Sequence, residues 1–232
     1  MERFTYLAVE FFAIIICFLF SFHPKIRFSR YFWTYLKASI VVALPFLLWD
    51  AWFTDRGVWW FNDRYIVGYR VFDLPIEEIL FFITIPFSCV FTYFCLTKFF
   101  NLRWSDRITS IFVISAVFVL IVLAILSIGK IYPFLTCLVT TLSIVYLHYI
   151  ARFRFFSQAT TVYGILLIGF FLVNGVLTGT GLEEAVVNYN SDDFWNFRIG
   201  TVPVEDAVYG YTMILWNVYF FHRFKNDNKE IE

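Results

Sequence analysis

Seven stretches of this chain are apolar for long enough to cross a lipid bilayer, and they leave few choices for its fold. They fall at about 4–22, 36–53, 76–96, 108–128, 131–150, 160–178 and 204–221, each close to the ~20 residues a helix needs to traverse a hydrocarbon core. No water is available there to satisfy backbone N–H and C=O groups, so each stretch must pair its own and form a helix. The expected fold is therefore all-α, a polytopic membrane protein of seven transmembrane helices. Composition agrees: 60% of residues are hydrophobic, 16% are charged and mean hydropathy is +0.72, more apolar surface than a water-soluble core can bury. A formal net charge of zero argues against nucleic acid as a partner. The first stretch follows Arg3 and lacks a small-residue cleavage site after it, so it reads as a helix and not a leader. Cys17, Cys89, Cys95 and Cys137 all lie in apolar runs without metal-ligand spacing, as buried free thiols do. No metal site is expected.

Most connections are short. The two exceptions, roughly 54–75 and 179–203, are rich in Trp, Tyr and Phe, and they are expected to be ordered against the membrane face. Each leads into a pair of carboxylates. RVFDLPIEEILF from Arg70 matches RIGTVPVEDAVY from Arg198 at an offset of 128, sharing R-x-x-x-x-P-[IV]-E-[ED]-x-x-[FY]. Asn62 and Asn190 keep that offset. DAWFTDRGV from Asp50 matches NGVLTGTGL from Asn174 at 124, which places one insertion in the second long loop. Spans 1, 2 and 3 thus recur as spans 5, 6 and 7. The expected divisions are residues 1–100 (first three-helix repeat), 101–130 (linking helix) and 131–232 (second repeat). A period of four spans makes this 3+1+3 repeat parallel, the halves related by a pseudo-twofold axis along the membrane normal. Both acid pairs then lie at one depth on one face.

Basic residues suggest which face. Lys25, Arg27, Arg30, Lys37, Lys98, Arg103, Arg107, Arg152, Arg154, Arg223, Lys225 and Lys229 fall on one side, and Arg3, Arg56, Arg64, Arg70, Lys130 and Arg198 on the other. The richer side is expected to be cytoplasmic. A multi-pass protein of the cell membrane results, with its N-terminus outside, its C-terminus inside and the acid motifs facing away from the cytoplasm.

Two readings fit one such motif. Pro75 and Pro203 suit the first turn of a helix, and the following acids suit its free N–H groups and dipole, so capping alone explains a single copy. Two copies with the same flanking Arg and aromatic ring point instead to a site built from Glu77, Glu78, Glu205 and Asp206. Acids near the bilayer are functional candidates. Apolar burial and crowding favour a protonated carboxyl, whereas Arg and helix N-termini favour an ionised one, so such a group can divide into a proton donor and a proton acceptor. Asp50 and Asn174 lie one turn before Thr54 and Thr178, as partners behind the site or as polar contacts between helices. Glu10 and His148 have no counterpart in the other repeat and read as structural. Trp59, Trp60, Phe81 and Tyr209 offer ring faces to a cation, although interfacial belts collect Trp and Tyr in any case.

At these residues the chain resembles the small integral-membrane lycopene cyclases of bacteria, archaea and fungi. The resemblance rests on PIEE at Pro75–Glu78 preceded by D-x-x-x-T, and on PVED at Pro203–Asp206 preceded by NGVLTG and FRIG; its extent matches two short subunits fused. It implies a lycopene beta-cyclase that works without a cofactor: an acid protonates the terminal double bond of a linear ψ end group, the cation closes a six-membered ring, and loss of a ring proton leaves the β end group, with no net redox change. By matching position Glu77, Glu78, Glu205 and Asp206 are the acid/base candidates, tuned or oriented by Arg70 and Arg198. The implied partners are lycopene or a related linear carotenoid, membrane lipid and other carotenoid-pathway enzymes. The absence of G-x-G-x-x-G agrees with a flavin-free reaction.

Other classes compete. A small transporter with parallel repeats shares the layout, although the PQ dipeptide of such carriers is missing. A retinal-binding seven-helix protein needs a mid-helix lysine, and Lys37 at the edge of span 2 is the nearest. A purely structural membrane subunit also fits.

Overall fold

The computed structural model describes residues 2–227; Lys229, one of the basic residues counted above, lies outside them. Among the described residues each apolar stretch is a helix: α1 (Thr5–Phe20), α2 (Phe32–Asp55), α3 (Ile76–Phe99), α4 (Asp106–Leu126), α5 (Ile131–Val145), α6 (Phe156–Leu177) and α7 (Val204–Asp227). One wider π-type turn, Tyr146–Ile150, extends α5. Six of these helical segments are long and apolar enough to cross a membrane, and α7 is the exception. That helix packs against α2, α3, α5 and α6, so little of it has to suit lipid. Met213, Ile214, Leu215, Val218 and Phe221 are buried, beside Thr212 and Asn217. Phe11, Leu48, Phe118 and Leu126 point outward from a molecule whose apolar surface is explained by lipid contact.

Two prolines lie inside helices. Pro86 has no N–H for the Phe82 carbonyl one turn earlier. The Ser39 hydroxyl of α2 donates to that carbonyl instead (3.1 Å), and Tyr35 donates to the neighbouring Ile83 carbonyl. The break in α3 thereby becomes a polar tie to α2.

The long loops contain short strands that the sequence reading did not anticipate. The first holds β1 (Trp59–Phe61), β2 (Arg70–Val71) and β3 (Leu74–Pro75); the second holds β4 (Val187–Tyr189), β5 (Arg198–Ile199) and β6 (Val202–Pro203). β2–β3 and β5–β6 are two-residue ladders with Arg70 opposite Pro75 and Arg198 opposite Pro203. β1 and β4 pair antiparallel across the two loops, with Trp60 opposite Asn188. Just beyond, the Asn62 N–H donates to the Val186 carbonyl and the Asn190 N–H to the Val58 carbonyl, each 2.9 Å. Donors and acceptors here are both separated by 128 residues, the offset of the motif repeat. Pro75 falls one residue before the first helical residue, a boundary one position from the expected first turn.

Candidate functional site

The hairpins deliver both acid pairs into the first turns of α3 and α7, and consecutive residues of a helix turn point in different directions. The members of each pair consequently part company. Glu77 and Glu205 are fully buried and face their own loops. Glu77 accepts the Val67 N–H at 2.6 Å and Glu205 the Trp195 N–H at 2.6 Å, each from ten residues upstream. These carboxylates fasten the preceding loop to the helix start.

Glu78 and Asp206 instead line one cavity of about 530 Å³. The Tyr6 hydroxyl on α1 donates to Glu78, and no other hydrogen bond to that carboxyl is formed among the described residues. Asp206 accepts on both oxygens, from Tyr132 at 2.6 Å and from Tyr189 at 2.7 Å. Tyr189 lies on β4, and burial beside Asp206 pushes its phenol well above the usual value; it stays a donor at any physiological pH. Glu10, Asp50 and the Tyr209 hydroxyl are within electrostatic reach of Glu78. Among the described residues each has a buried polar atom without a hydrogen-bond partner, and the Tyr209 hydroxyl is within reach of Asp206 too, so unsatisfied polar groups collect around the two acids.

Aromatic rings form much of the remaining wall. Phe81 meets the Tyr6 ring edge-on at 6.4 Å, and Trp59 meets Tyr132 at 5.1 Å. Trp59, Phe81, Tyr209 and Asn174 all line the cavity with the two carboxyls. Asp50 stands behind it, accepting the Trp59 Nε1–H at 2.6 Å and so fixing that ring. Asn174 and Asp50 thus do different work despite their matching positions.

Arg70 and Arg198 each sit at their own hairpin. Neither bonds to a motif carboxylate. Arg70 donates to the Asp73 carbonyl and pairs with Asp63 at 2.7 Å; Arg198 donates to the Thr201 carbonyl at 2.5 Å. Each guanidinium closes its own hairpin, because the two-residue ladder holds its side chain beside the turn and away from the helix interior. Arg198 also lies over the rings of Phe194 (4.8 Å) and Tyr189 (5.3 Å), and its charge reaches Glu205 and Asp206 without a hydrogen bond to either. The sequence reading missed Tyr6, Tyr132 and Tyr189.

An acid with one phenol partner and an acid with two, sharing an aromatic chamber, can hand a proton to an apolar molecule and take one back. Among the described residues no group of His, Cys, Asp and Glu is arranged to hold a metal ion.

A family model described as lycopene cyclase matches residues 3–96 and 129–224. Among curated proteins, the chain is 30% identical over 60 residues to a bifunctional lycopene cyclase/phytoene synthase of Leptosphaeria maculans, covering 26% of this chain and 10% of that protein. It is 24% identical over 71 residues to a bifunctional lycopene cyclase/phytoene synthase of Aspergillus oryzae, covering 30% of this chain and 12% of that protein. The matched part thus spans about a tenth of the length of these relatives. No solved structure matches.

Proposed function

Since the chain belongs to the lycopene cyclase family, we propose that it is a carotenoid cyclase that converts linear ψ end groups of lycopene to β rings. The observation that carries this reading is the shared cavity, in which Glu78 and Asp206 face the same aromatic space. Glu78, with a single phenol partner, gives its proton to the terminal double bond. The π electrons of that bond form the new C–H bond and leave a cation. A neighbouring double bond attacks the cation, closing the six-membered ring and moving the charge into it. Asp206, whose two oxygens are already arranged as acceptors by Tyr132 and Tyr189, removes a ring proton, and the C–H electrons become the ring double bond. One proton enters and one leaves, so no oxidant or reductant takes part. Trp59 and Phe81 face the cation with ring electrons, worth ~2 kcal/mol or more in a desolvated setting. Glu77 and Glu205 support the site by fastening the loops.

The 3+1+3 architecture belongs to the same reading. Its support is the reciprocal pairing of the loops about Trp60 and Asn188, and the recurrence of α1–α3, α2–α3 and α2–α7 contacts as α5–α7, α6–α7 and α6–α3. The family match also falls in two parts that leave out α4. The distribution of basic residues favours an external N-terminus and a cytoplasmic C-terminus. A transporter reading draws no support from the relatives.

The test is expression in cells that accumulate lycopene, followed by pigment chromatography. Bicyclic or monocyclic β-ring products are expected. Unchanged lycopene alongside membrane-inserted protein rejects the proposal.

A further inference from the structure

The cavity is not sealed on its lipid side. Between α1 and α6 its wall consists of Phe12, Ala13 and Ile16 facing Gly169, Leu172 and Val173. Phe12, Ile16 and Leu172 are 71%, 65% and 69% exposed, on two helices apolar enough to stand in a membrane. A second cavity, of about 500 Å³, lies along the same seam and shares Phe12, Ala13, Leu172 and Val173 with the first. Small residues keep the seam thin: Ala13 carries one methyl, and a Cβ placed on Gly169 would meet nothing within 4 Å. On the loop side Trp59, Phe61, Val187 and Tyr189 of the β1–β4 pair form a lid of aromatic and aliphatic side chains.

We infer that the seam between α1 and α6 is a lateral portal and a binding groove for a linear apolar polyene, which reaches Glu78 and Asp206 directly from the lipid. One end group occupies the inner cavity while the rest of the chain lies in the outer groove. The identity of the occupant rests on the cyclase reading; the route rests on the seam. A polyene dissolved in lipid gives up favourable burial with each carbon unit it brings into water, so a path through the loop face is closed to it energetically. The seam exposes none of it to water. A lipid acyl chain has a suitable shape for the groove, but a saturated chain has no double bond to present to a buried acid at its far end. Only one end group is inside at a time, so a carotenoid with one ring must leave and turn before its second end can close.

Purified protein is mixed with vesicles containing lycopene, captured at increasing times, and its retained carotenoid counted while ring products are chromatographed separately. Ala13→Trp fills the seam and is expected to slow loading by about tenfold or more, and Phe12→Ala widens it and is expected to speed loading several-fold. Ile114→Trp, on the lipid-facing side of α4, is expected to change neither. A folded Ala13→Trp protein that loads at the wild-type rate overturns the portal. Should that variant fail to fold, Phe12→Ala decides, and loading no faster than wild type overturns it equally. Ala13→Trp protein that loads slowly but cyclises what it has bound at the normal rate supports the portal; normal loading with slow chemistry counts against it. Wild-type protein that loads lycopene and forms no ring rejects the cyclase reading while leaving the portal standing.

Discussion

Glu78 and Asp206 occupy matching positions, each the third residue after the proline of a two-residue hairpin, yet their surroundings differ. Glu78 has one phenol donor and, among the described residues, unsatisfied polar neighbours in Glu10 and Asp50; Asp206 has two phenol donors, one on each oxygen, and the unpartnered Tyr209 hydroxyl lies within reach of both acids. Two acids in similar sequence contexts thus have different partners. If the reading of the site is right, the comparison breaks most severely when either acid is removed. Glu78→Gln and Asp206→Asn are each expected to cut ring formation by roughly 10²–10⁴-fold, measured by pigment chromatography at matched membrane levels. Glu77→Gln and Glu205→Gln keep an oxygen for the Val67 and Trp195 N–H groups and should retain most activity. Glu77→Ala leaves the Val67 N–H orphaned and should cost about 1–3 kcal/mol of stability by thermal unfolding in detergent. Loss of cyclisation in a folded Glu77→Gln protein would return that residue to the chemistry.

The next largest effect tests the unequal phenols. Tyr6→Phe removes the one hydrogen bond Glu78 receives, whereas Tyr132→Phe leaves Tyr189 on Asp206. A hydrogen bond to a charged group is worth about 1.5–3 kcal/mol, so Tyr6→Phe should slow turnover by roughly ten- to a hundredfold. Tyr132→Phe or Tyr189→Phe alone should slow it less, and the double variant should slow it about as much as Tyr6→Phe. Equal losses for all three single changes would erase the difference on which the donor and acceptor roles rest.

Much of the fold was readable because lipid enforces it. Length and hydropathy alone locate helices in a medium without water, and the expected spans lie within a few residues of α1–α7. α7 shows the limit: its central packing lets Tyr211, Asn217 and His222 dilute a pattern that only lipid contact demands. The acid pairs stood out as a candidate site because the motif is written twice in the sequence. Their division was not readable, since the one-residue step from Glu77 to Glu78 exchanges a loop for a cavity, and only helix phase decides which. Tyr6 and Tyr132 carried a weak signal, since they stand 126 residues apart near the starts of the spans read as first and fifth. Tyr189 had none; its position depends on the β1–β4 pairing, a contact made between loops by two strands too short to leave a pattern. The hairpin contacts of the arginines were hidden for a related reason. Their spacing from the proline records a hairpin register, with the guanidinium bonded back to the turn carbonyl.

That register yields a smaller comparison. Arg70 pairs with exposed Asp63, a contact worth about 0–1 kcal/mol, whereas Arg198 lies over Tyr189, a ring of the site wall, and over Phe194 outside it. Arg70→Gln should therefore change stability by about 1 kcal/mol or less. Arg198→Gln should lower it by about 1–2 kcal/mol and reduce cyclisation as Tyr189 loosens. Thermal unfolding and turnover measured on both variants separate the two, and equal effects would show that Arg198 acts as a hairpin staple alone.

The finest contrast lies one turn beyond the acids, where α3 carries Phe82 and α7 carries Gly210, both lining the cavity. Phe82 fills the space beneath Glu78. Beneath Asp206 the missing side chain lets α6 approach: a Cβ on Gly210 would come within 3.1 Å of the Tyr163 hydroxyl and 3.3 Å of the Phe170 ring. Tyr163 is itself tied down, donating to the Ala207 carbonyl at 2.5 Å, so it cannot swing away without breaking that bond. Phe170 must yield instead, toward the volume an end group would use. Gly210→Ala should thus cost about 1 kcal/mol of stability and slow cyclisation a few-fold through weaker substrate binding, visible as a raised KM with kcat nearly unchanged. A variant that lowers kcat and leaves KM alone would instead place the open space beneath Asp206 in the chemical step, with the cation pressed against α7 and not merely housed beside it.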